Sequence, residues 1–455
     1  MHAVGWRAWA LGGLGGLQAA VLLWGSGAPT ATQLVAVLTA ATLGGLALLW
    51  IAFDSRFTHT PLAWVLGLAL VVRLIAVQAE PLLEDDHYRY LWDGMRTAQH
   101  LDPYRLAPSA FFGANDLAAR WQDVLSGINN PNIPTLYGPV LQALFALAHG
   151  LAPGRLGAIQ GLVLLVDLGC IALLAKHGVG ARWLLVYALH PMILKEAMAS
   201  AHPDGLVALW LLLALLAWRR ERWFFTGVLL GLAVATKVAA LLVVPLFLFG
   251  PRRTLTSWRI SGAVALGFVV ALGAAYLPLL AAGGSDVLGL QTFAAQWRFN
   301  PLLYRVIEAG VPSGAARPVA ALTIVAGMLT LLWRWRVSLR GAGSASRDPA
   351  MPPVDTVLLL LLLLAPVVNP WYALWALGPA IAAGRPLVPV MGCVSVLAYL
   401  NGSVLQEAGW QAATALIAPF SIAWPLALIQ VTAVVIAAVF VQRSKSCKKT
   451  AVSRD

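Results

Sequence analysis

Residues 260–280 read ISGAVALGFVVALGAAYLPLL and contain no Asp, Glu, Lys or Arg. A helix of about 20 apolar residues crosses the hydrocarbon core of a bilayer, so this stretch is long enough to span a membrane. Another run, GLVALWLLLALLAW at 205–218, is equally free of charge and leaves no polar face for solvent. Backbone groups inside a bilayer are satisfied only in helices or closed barrels. These runs therefore predict an all-α polytopic membrane protein.

The whole chain has the composition of such a protein. Of its 455 residues, 60% are hydrophobic and 11% are charged, and the mean hydropathy is +0.78. Soluble domains keep roughly 25% of their residues charged, so a secreted soluble protein is excluded. The net charge of +12 reflects basic residues at helix ends, and we expect no nucleic-acid partner. The three cysteines, Cys170, Cys393 and Cys447, lack metal-ligand spacing and predict neither a disulfide nor a metal site.

Hydropathy predicts about 12 to 14 transmembrane or half-membrane helices. The predicted helices lie at 6–25, 32–52, 61–79, 157–175, 183–199, 204–218, 224–236, 238–250, 258–281, 313–333, 354–368, 371–384, 386–401 and 412–440. Two pairs among them are half-length pieces, split at Lys237 and at Asn369-Pro370. Residues 137–151 are predicted to form a re-entrant or interfacial helix, because a full crossing there would upset the alternation of sides.

Basic clusters between these helices predict the orientation in the plasma membrane, because positively charged loops face the cytoplasm. The clusters lie at 176–182, 219–222, 252–253, 334–340, 385 and 443–449. Alternation from them places a large loop at 80–135, carrying short interfacial helices, on the non-cytoplasmic face. We divide the chain into a transmembrane hairpin (1–60), a transmembrane catalytic module (61–405), and a C-terminal helix with a basic tail (406–455).

The external loop begins with three consecutive acids, Glu84-Asp85-Asp86, within EDDHYRYLWDG at 84–94. Ionisable groups beside a bilayer are costly and commonly functional. Like charges this close raise at least one pKa, which suits a group that accepts a proton near neutral pH. Asp85 and Asp86 are the candidate catalytic bases, with Asp85 favoured, and Glu84 is a candidate substrate contact. The alternative is a solvated amphipathic helix lying on the membrane interface.

A short helix in this segment would place Asp85, Arg89 and Asp93 on one face, at i, i+4 and i+8. The guanidinium of Arg89 would then hold a carboxylate or contact a phosphate. Tyr88 is a further candidate substrate contact, although its ring suits an interfacial position equally well. The loop runs for roughly 55 residues, more than a connection between two spans requires. Its last part, NNPNIPTLYGP at 129–139, supplies Tyr137 as another candidate.

Three polar residues near helix breaks fall on the same predicted side. His202 and Asp204 belong to a His-Pro-Asp-Gly turn, where an ordinary Pro-Asp-Gly turn with an incidental histidine explains the pattern equally well. Lys237 interrupts an otherwise apolar stretch at 229–248. A lysine there needs a partner or an anionic ligand, such as a lipid phosphate or pyrophosphate.

Three more candidates follow later in the chain. Arg298 suits phosphate binding, with snorkelling to the interface as an equal alternative. Asn369 and Tyr372 belong to Asn-Pro-Trp-Tyr in the middle of a long apolar stretch. A proline break of this kind either lines a cavity or simply kinks a helix.

Several short motifs resemble those of bacterial GT-C glycosyltransferases. The motifs are DDHYRYLWDG at 85–94, DPY at 102–104, YGP at 137–139, HPDG at 202–205, ATK at 235–237 and NPWY at 369–372. In this order, across roughly 80–405, they most resemble polyprenol-phosphate-mannose-dependent mannosyltransferases and their GPI mannosyltransferase relatives. In many relatives the acidic loop follows the first span, whereas here it follows the third. An added hairpin at 6–53 would explain that difference.

The resemblance implies an inverting transferase that takes a hexose, mannose foremost, from a polyprenyl-phosphate carrier and passes it to a lipid or cell-envelope glycan. It implies that Asp85 or Asp86 is the base and that Lys237 contacts the donor phosphate. We expect no cofactor and no metal, although adjacent acids are able to bind a divalent cation. The main alternative is a transporter or flippase of a lipid-linked sugar, which would also use an intramembrane lysine and a broken helix. A non-catalytic membrane scaffold is a third reading, and it leaves the polar residues unexplained.

Overall fold

The computed structural model describes residues 6–26, 29–52, 61–99, 103–114, 116–249, 257–281, 284–312, 314–341, 351–400, 409 and 423–452. Their architecture is all-α, as the sequence predicts. Within these ranges the single extended pairing is an isolated parallel bridge between Phe299 and Val367. The predicted motif residue Asp102, the predicted boundary at 405/406 and the first part of the 412–440 helix lie outside the described residues.

The described residues of the first half of the chain form ten α-helices. They are α1 (Trp6–Trp24), α2 (Ala31–Ala52), α3 (Leu62–Ala76), α4 (Asp86–Ala98), α5 (Ala119–Ser126), α6 (Pro139–Leu151), α7 (Leu156–Lys176), α8 (Ala181–Ala188), α9 (Gly205–Arg219) and α10 (Trp223–Thr236). A 3₁₀ turn at Pro108–Phe111 joins α4 to α5, and a π-helical segment at Ile193–Ala199 lies between α8 and α9.

The second half continues the helical pattern. Its α-helices are α11 (Val244–Leu248), α12 (Ser257–Ala281), α13 (Val287–Gln296), α14 (Tyr304–Gly310), α15 (Ala316–Gly341), α16 (Val354–Leu364), α17 (Leu374–Ala382), α18 (Leu387–Ser395) and α19 (Ala423–Val452). Short 3₁₀ segments precede α11 at Val238–Val243, precede α17 at Pro370–Ala373 and follow α18 at Val396–Tyr399.

Within the part of the chain that the structure describes, four stretches are long and apolar enough to cross a membrane: Ala31–Trp50, Leu156–Lys176, Trp258–Ala281 and Ala316–Ser338. Several shorter apolar helices, such as α9 and α10, accompany them. Together they identify an integral membrane protein. The number of crossings and their orientation stay predictions.

The two predicted helix breaks are confirmed. Lys237 ends α10 in an extended conformation, with φ −145° and ψ 123°, before the 3₁₀ segment begins. Helix α16 ends at Leu364, and Ala365 is extended with ψ 148°. Ala365 precedes Pro366, and the residue before a proline is disfavoured in the helical region. Between Ala365 and Asn369 the backbone is non-helical and pairs with Phe299, until Pro370 starts the next turn. The side chains at both breaks are therefore placed to line a cavity.

Small residues bring α10 and α12 into close contact. A Cβ added to Gly227 would lie 2.0 Å from the Val264 carbonyl oxygen, and one added to Gly267 would lie 2.0 Å from the Phe224 carbonyl oxygen. Such small-residue interfaces are typical of membrane helices, which gain little from apolar burial against one another in lipid. This contact fixes the helix that carries Lys237 at its end.

Helix α3 is anchored by a buried charge pair. The Arg73 guanidinium contacts the Asp167 carboxylate of α7 and donates to the Ala188 carbonyl at 2.8 Å. Tyr187 donates to the same carboxylate at 2.9 Å. A paired arginine of this kind tolerates burial because its charge is compensated. The pair holds α3, and hence the acidic segment that follows it, against α7 and α8.

Candidate active site

Asp86 lies at the centre of a polar cluster. It is in the first turn of α4, and its carboxylate accepts hydrogen bonds from Asn129 Nδ2 at 3.0 Å and from the Tyr137 hydroxyl at 3.2 Å. His202 Nε2 lies 3.8 Å from Asp86 Oδ2. Burial alone would raise the pKa of Asp86, but the facing His202, with Asn129 and Lys237, outweighs that effect and lowers the pKa to about 2. The carboxylate is therefore ionised at neutral pH.

The other two acids of the run occupy different positions. Asp85 precedes α4, its side chain is exposed, and its carboxylate contacts Asn129. Partial burial raises the pKa of Asp85, and the neighbouring Asp86 adds to that rise against the opposing effect of Asn129. Glu84 is more deeply placed, and burial raises its pKa to about 8. Of the two candidate bases, Asp86 thus contacts Tyr137 and His202, whereas Asp85 is exposed and contacts the shared Asn129 amide.

His202 is fully buried between two carboxylates. Its Nδ1 lies 3.3 Å from Glu196 Oε2, on the side of the ring opposite Asp86. The imidazole stacks on Trp371 with ring centroids 4.0 Å apart. Burial by itself would lower the pKa of His202, but Asp86 and Glu196 outweigh it and raise the pKa to about 10. His202 is therefore a cation at neutral pH.

Lys237 reaches the same region from the end of α10. Its ammonium lies 3.7 Å from Asp204 Oδ1, which also accepts the Trp375 indole N–H at 2.6 Å. The ammonium lies 4.9 Å from the centroid of the Tyr137 ring and 5.6 Å from that of Tyr372. Aromatic faces stabilise a cation without neutralising it. Lys237 is thus held in place and still has donors to offer an anion.

Close backbone packing brings these segments together. A Cβ added to Gly138 would lie 2.2 Å from the Ala235 carbonyl oxygen, so only glycine fits between the start of α6 and the end of α10. Pro139 occupies the first turn of α6, where its missing N–H costs nothing. This contact sets Tyr137, immediately before the glycine, beside Lys237.

A cavity of about 500 Å³ opens where these residues meet. Its wall includes Asp86, Tyr137, Lys237, Asn369 and Tyr372. The cavity adjoins two larger grooves that share different parts of its wall. Convergent polar groups in such a cavity are the usual form of a small-molecule site.

The first groove is apolar. It has a volume of about 1580 Å³, and Lys237 and Tyr372 stand at its junction with the cavity. Its other lining residues come mainly from the 3₁₀ segment after α10 and from α13, α15 and α16, and include Leu242, Leu290, Ala321, Ile324 and Leu361. Asp286, which accepts a hydrogen bond from Tyr276 at 2.9 Å, and Arg317, which donates to the Trp297 carbonyl at 2.9 Å, are exceptions to its apolar character.

The second groove is polar and aromatic. It has a volume of about 1230 Å³ and shares Asp86, Asn129 and Asn369 with the cavity. Its wall also contains the charged and aromatic side chains Glu84, Arg298, Phe299 and Tyr399, together with Trp297, which it shares with the cavity. Aromatic faces combined with amide and carboxyl groups suit a polyhydroxylated ligand, because rings contact its C–H faces while polar groups bind its hydroxyls.

The structure does not bring every predicted residue to the cavity. Arg89 lines it, but its Nε donates to Asp93 Oδ1 at 2.9 Å and its Nη1 to the Ile133 carbonyl at 3.0 Å, so it holds a protein carboxylate. Asp93 is buried and also accepts from Gln142 at 3.1 Å. Tyr88 packs beneath the external loop, stacked beside His87, and lines neither the cavity nor the grooves.

Arg298 differs from its predicted role in another way. It is on the rim of the polar groove, and its Nη2 lies 2.6 Å from Glu308 Oε2. Both side chains are more than a third exposed. A guanidinium paired this closely has less charge to offer a phosphate than Lys237 has.

Four residues that the structure places in the cluster were not among the predicted site residues: Asn129, Glu196, Trp371 and Trp375. For two of them, the sequence contains a feature that indicates a functional role. Glu196 is a carboxylate within an apolar run, next to Lys195, and such groups are rarely tolerated without a role. Trp371 belongs to the Asn-Pro-Trp-Tyr motif. Nothing local distinguishes Asn129 or Trp375 from an ordinary loop amide or interfacial tryptophan.

Comparison with known proteins identifies the family. Residues 3–250, more than half of the chain, match the family model described as alpha-(1->6)-mannopyranosyltransferase, N-terminal domain. The chain is 26% identical over 441 residues to alpha-(1->6)-mannopyranosyltransferase A of Mycobacterium tuberculosis, covering 87% of this chain and 77% of that protein. It is 27% identical over 394 residues to a probable alpha-(1->6)-mannopyranosyltransferase of Mycolicibacterium smegmatis, covering 73% and 66% respectively.

No solved structure matches the chain. The family match nevertheless confirms the resemblance to GT-C mannosyltransferases that the motifs indicated. It also supports mannose as the transferred sugar and a cell-envelope glycan as its destination. The chain therefore belongs to the alpha-(1->6)-mannopyranosyltransferase family and is an integral membrane mannosyltransferase.

Proposed function

We propose that this protein transfers mannose from a polyprenyl-phosphate carrier to a glycan or glycolipid acceptor, with inversion, on the non-cytoplasmic face of the plasma membrane. One observation carries the proposal: an apolar groove and a polar, aromatic groove meet at a cavity bordered by Lys237 and Asp86. A lipid-linked donor and a hydroxylated acceptor require two such surfaces converging on one reaction centre.

The apolar groove suits the polyprenyl chain of the donor. Its walls are mainly apolar and come from several segments of the chain, so they extend beyond what a phosphate or a sugar alone would contact. Apolar contact along a chain contributes roughly 25 cal/mol for each Å² removed from water, and less where the chain would otherwise lie in lipid. We therefore assign the groove mainly to orientation, so that the phosphate head lies at Lys237.

Lys237 would bind the donor phosphate. The bond that breaks joins the anomeric carbon to a phosphate oxygen, and negative charge grows on that phosphate as it leaves. A fixed ammonium in a site that excludes water stabilises this charge more than water does. Asp204 positions the ammonium from one side. The aromatic rings contact it and leave its positive charge unneutralised.

Asp86 would accept the proton of the attacking hydroxyl. The acceptor oxygen forms a bond to the anomeric carbon, the bond to phosphate breaks, and the hydroxyl proton passes to the carboxylate. A pKa of about 2 keeps Asp86 ionised before reaction. It also implies that the proton moves late, when the acceptor oxygen already carries positive charge from the new bond. Asp85 is exposed and does not line the cavity, so the geometry favours Asp86 over the base preferred from sequence.

The polar groove would bind the acceptor. Asn129, Asn369 and Glu84 offer hydrogen-bonding groups, and Phe299 and Trp297 offer aromatic faces. The groove shares Asp86 with the cavity, so a hydroxyl of a bound acceptor is able to reach the carboxylate. The non-cytoplasmic assignment rests on the charge of the loops, which places residues 80–135 opposite the arginine clusters.

The test is a transfer assay with the purified full-length protein in nanodiscs. Polyprenyl-phosphate mannose and a mannooligosaccharide acceptor should yield an extended product, whose new linkage has the anomeric configuration opposite to that of the donor, as read by NMR. A nucleotide-linked mannose serves as the control donor and should give no product. Retention of configuration, or transfer from the nucleotide donor alone, would contradict the proposal.

A further inference from the structure

We propose that Glu196 is a positioning residue for Asp86 and that it acts through His202. The inference rests on the proposed role of Asp86 and adds a residue that does not line the cavity or either groove. Its basis is a continuous line of contacts, Glu196 to His202 to Asp86, within a buried part of the molecule.

Glu196 is held by three groups at once. It is fully buried, and its Oε1 accepts hydrogen bonds from Lys195 Nζ at 2.8 Å and from the Tyr399 hydroxyl at 3.1 Å. Its Oε2 has no hydrogen-bond partner within the described residues and lies 3.3 Å from His202 Nδ1, which likewise has none. A buried carboxylate is costly unless it is compensated. One oxygen is thus fixed by the protein and the other is left for the imidazole.

The backbone that carries these residues has two unusual features. Glu196 lies in a π-helical segment, and such segments occur frequently at functional sites. Ala201 adopts a left-handed conformation with φ +58°, which costs energy for a residue with a Cβ. This turn immediately precedes His202 and directs it inward between the two carboxylates. Strain of this kind persists where the surrounding structure enforces it, commonly beside an active site.

The charges along the line alternate. Lys195 is a cation, Glu196 an anion, His202 a cation and Asp86 an anion, and Lys237 lies beyond Asp86. Glu196 therefore acts in two ways on the imidazole. It fixes the position of the ring through the ion pair at Nδ1, and it favours the protonated ring, whose positive charge faces Asp86 Oδ2 at 3.8 Å. A carboxylate behind a histidine performs the same orienting task in hydrolases with a Ser-His-Asp arrangement.

His202 has other charged or titratable neighbours. The groups that face it from the surrounding elements are Glu84, Asp86, His87, Tyr90 and Glu196. Of these, Glu196 alone lies against Nδ1. Loss of its charge should therefore lower the pKa of His202 and loosen the ring, and Asp86 should lose a partner on the side away from the acceptor.

The experiment compares four full-length proteins in nanodiscs: wild type, Glu196→Gln, His202→Gln and the double variant. Glu196→Gln should lower kcat about tenfold to a hundredfold, the scale of coupling between contacting residues, with little change in the KM for donor. In the double variant, kcat should fall less than threefold further, because both changes interrupt the same contacts from Glu196 through His202 to Asp86. Glu196→Asp should restore part of the activity. Asp123→Asn removes an exposed carboxylate of the external loop and should have no effect.

A second measurement does not depend on turnover. NMR titration of labelled histidines, with His202 assigned by its loss in His202→Gln, should show a pKa of His202 at least one unit lower in Glu196→Gln. If an unpaired Lys195 impairs folding, the Lys195→Met/Glu196→Gln pair tests the same point. An unchanged pKa of His202, or losses in kcat that multiply in the double variant, would overturn the role of Glu196. Normal turnover in Asp86→Asn would instead overturn the proposed base.

Discussion

The ammonium of Lys237 lies 3.7 Å from the carboxylate of Asp204. Asp204 immediately precedes α9, and Lys237 immediately follows α10. Asp204 is fully buried, and its second oxygen, Oδ2, has no hydrogen-bond partner within the described residues. The lysine also borders the cavity and the apolar groove. Lys237 thus lies between a fixed protein carboxylate and the space where a lipid phosphate would lie.

The first prediction concerns this lysine. Lys237→Met should lower kcat/KM for the polyprenyl-phosphate donor about 100- to 1000-fold, because the leaving phosphate loses its fixed cation. The change also leaves Asp204 as an unpaired buried charge, which destabilises the fold. Lys237→Met/Asp204→Asn should therefore recover thermal stability in a detergent unfolding scan and remain inactive. Activity in the double variant near that of wild type would contradict the phosphate role.

The second prediction concerns the pH dependence of turnover. Burial raises the pKa of Glu84 to about 8, so its carboxyl group is neutral below that pH and ionises as the pH rises through it. Ionisation adds negative charge beside Asp86 and removes a hydrogen-bond donor from the polar groove. Turnover should therefore fall above about pH 8 in wild type.

Glu84→Gln keeps the side chain neutral at every pH. The alkaline decline near pH 8 should disappear from its pH–kcat profile while activity at pH 7 stays within a few fold. Asp123→Asn, an exposed carboxylate of the same loop, should leave the decline in place. An identical decline in Glu84→Gln would mean that a different group titrates.

The third prediction addresses the apolar groove. Ala321 on α15 lines it, whereas Ala326 on the same helix is exposed elsewhere. Ala321→Trp should raise the KM for a long polyprenyl-phosphate donor several fold, because the indole occupies space needed by the chain. A short-chain donor analogue should be affected less. Ala326→Trp is the matched control, and equal effects of the two variants on KM would argue against this groove as the lipid site.

The fourth prediction concerns the side of the membrane. Ser126 is exposed at the end of α5, within the external loop, and the described cysteines Cys170 and Cys393 are buried. In a Cys447→Ser background, Ser126→Cys should react in intact cells with a membrane-impermeant maleimide. Labelling only after the cells are opened would place the loop, and the site with it, on the cytoplasmic side.

Much of the fold was predictable from the sequence, because the length of each apolar stretch determines whether it forms a long helix. Helix α7 was expected at 157–175 and is found at Leu156–Lys176, and α12 was expected at 258–281 and is found at Ser257–Ala281. Both helix breaks were also predicted, because a lysine or an Asn-Pro pair inside an apolar stretch disfavours one continuous membrane-spanning helix. The π-helical segment at Ile193–Ala199 was not, because its sequence, ILKEAMA, suits an ordinary α-helix.

The structure brings several of the predicted site residues together, while their roles stay predictions. His202, Asp204, Lys237, Asn369 and Tyr372 each lie within or beside an apolar stretch and Asp86 belongs to an acidic run, and the structure gathers these residues around one cavity. Distinguishing Asp86 from Asp85 required knowing where α4 begins, since a shift of one residue turns a side chain by about 100°. Arg89 has the same charge and a similar setting to Lys237, yet its partner is Asp93, four residues along its own helix.

The central claim is that Asp86, facing His202 and Tyr137, accepts the acceptor proton while its neighbour Asp85 does not. The most direct measurement is single-turnover mannose transfer by Asp86→Asn and Asp85→Asn in nanodiscs with saturating polyprenyl-phosphate mannose. Asp86→Asn should lower the rate by more than about 100-fold while Asp85→Asn retains most of it, with donor binding intact in both. Wild-type rates in Asp86→Asn, or loss confined to Asp85→Asn, would contradict the account.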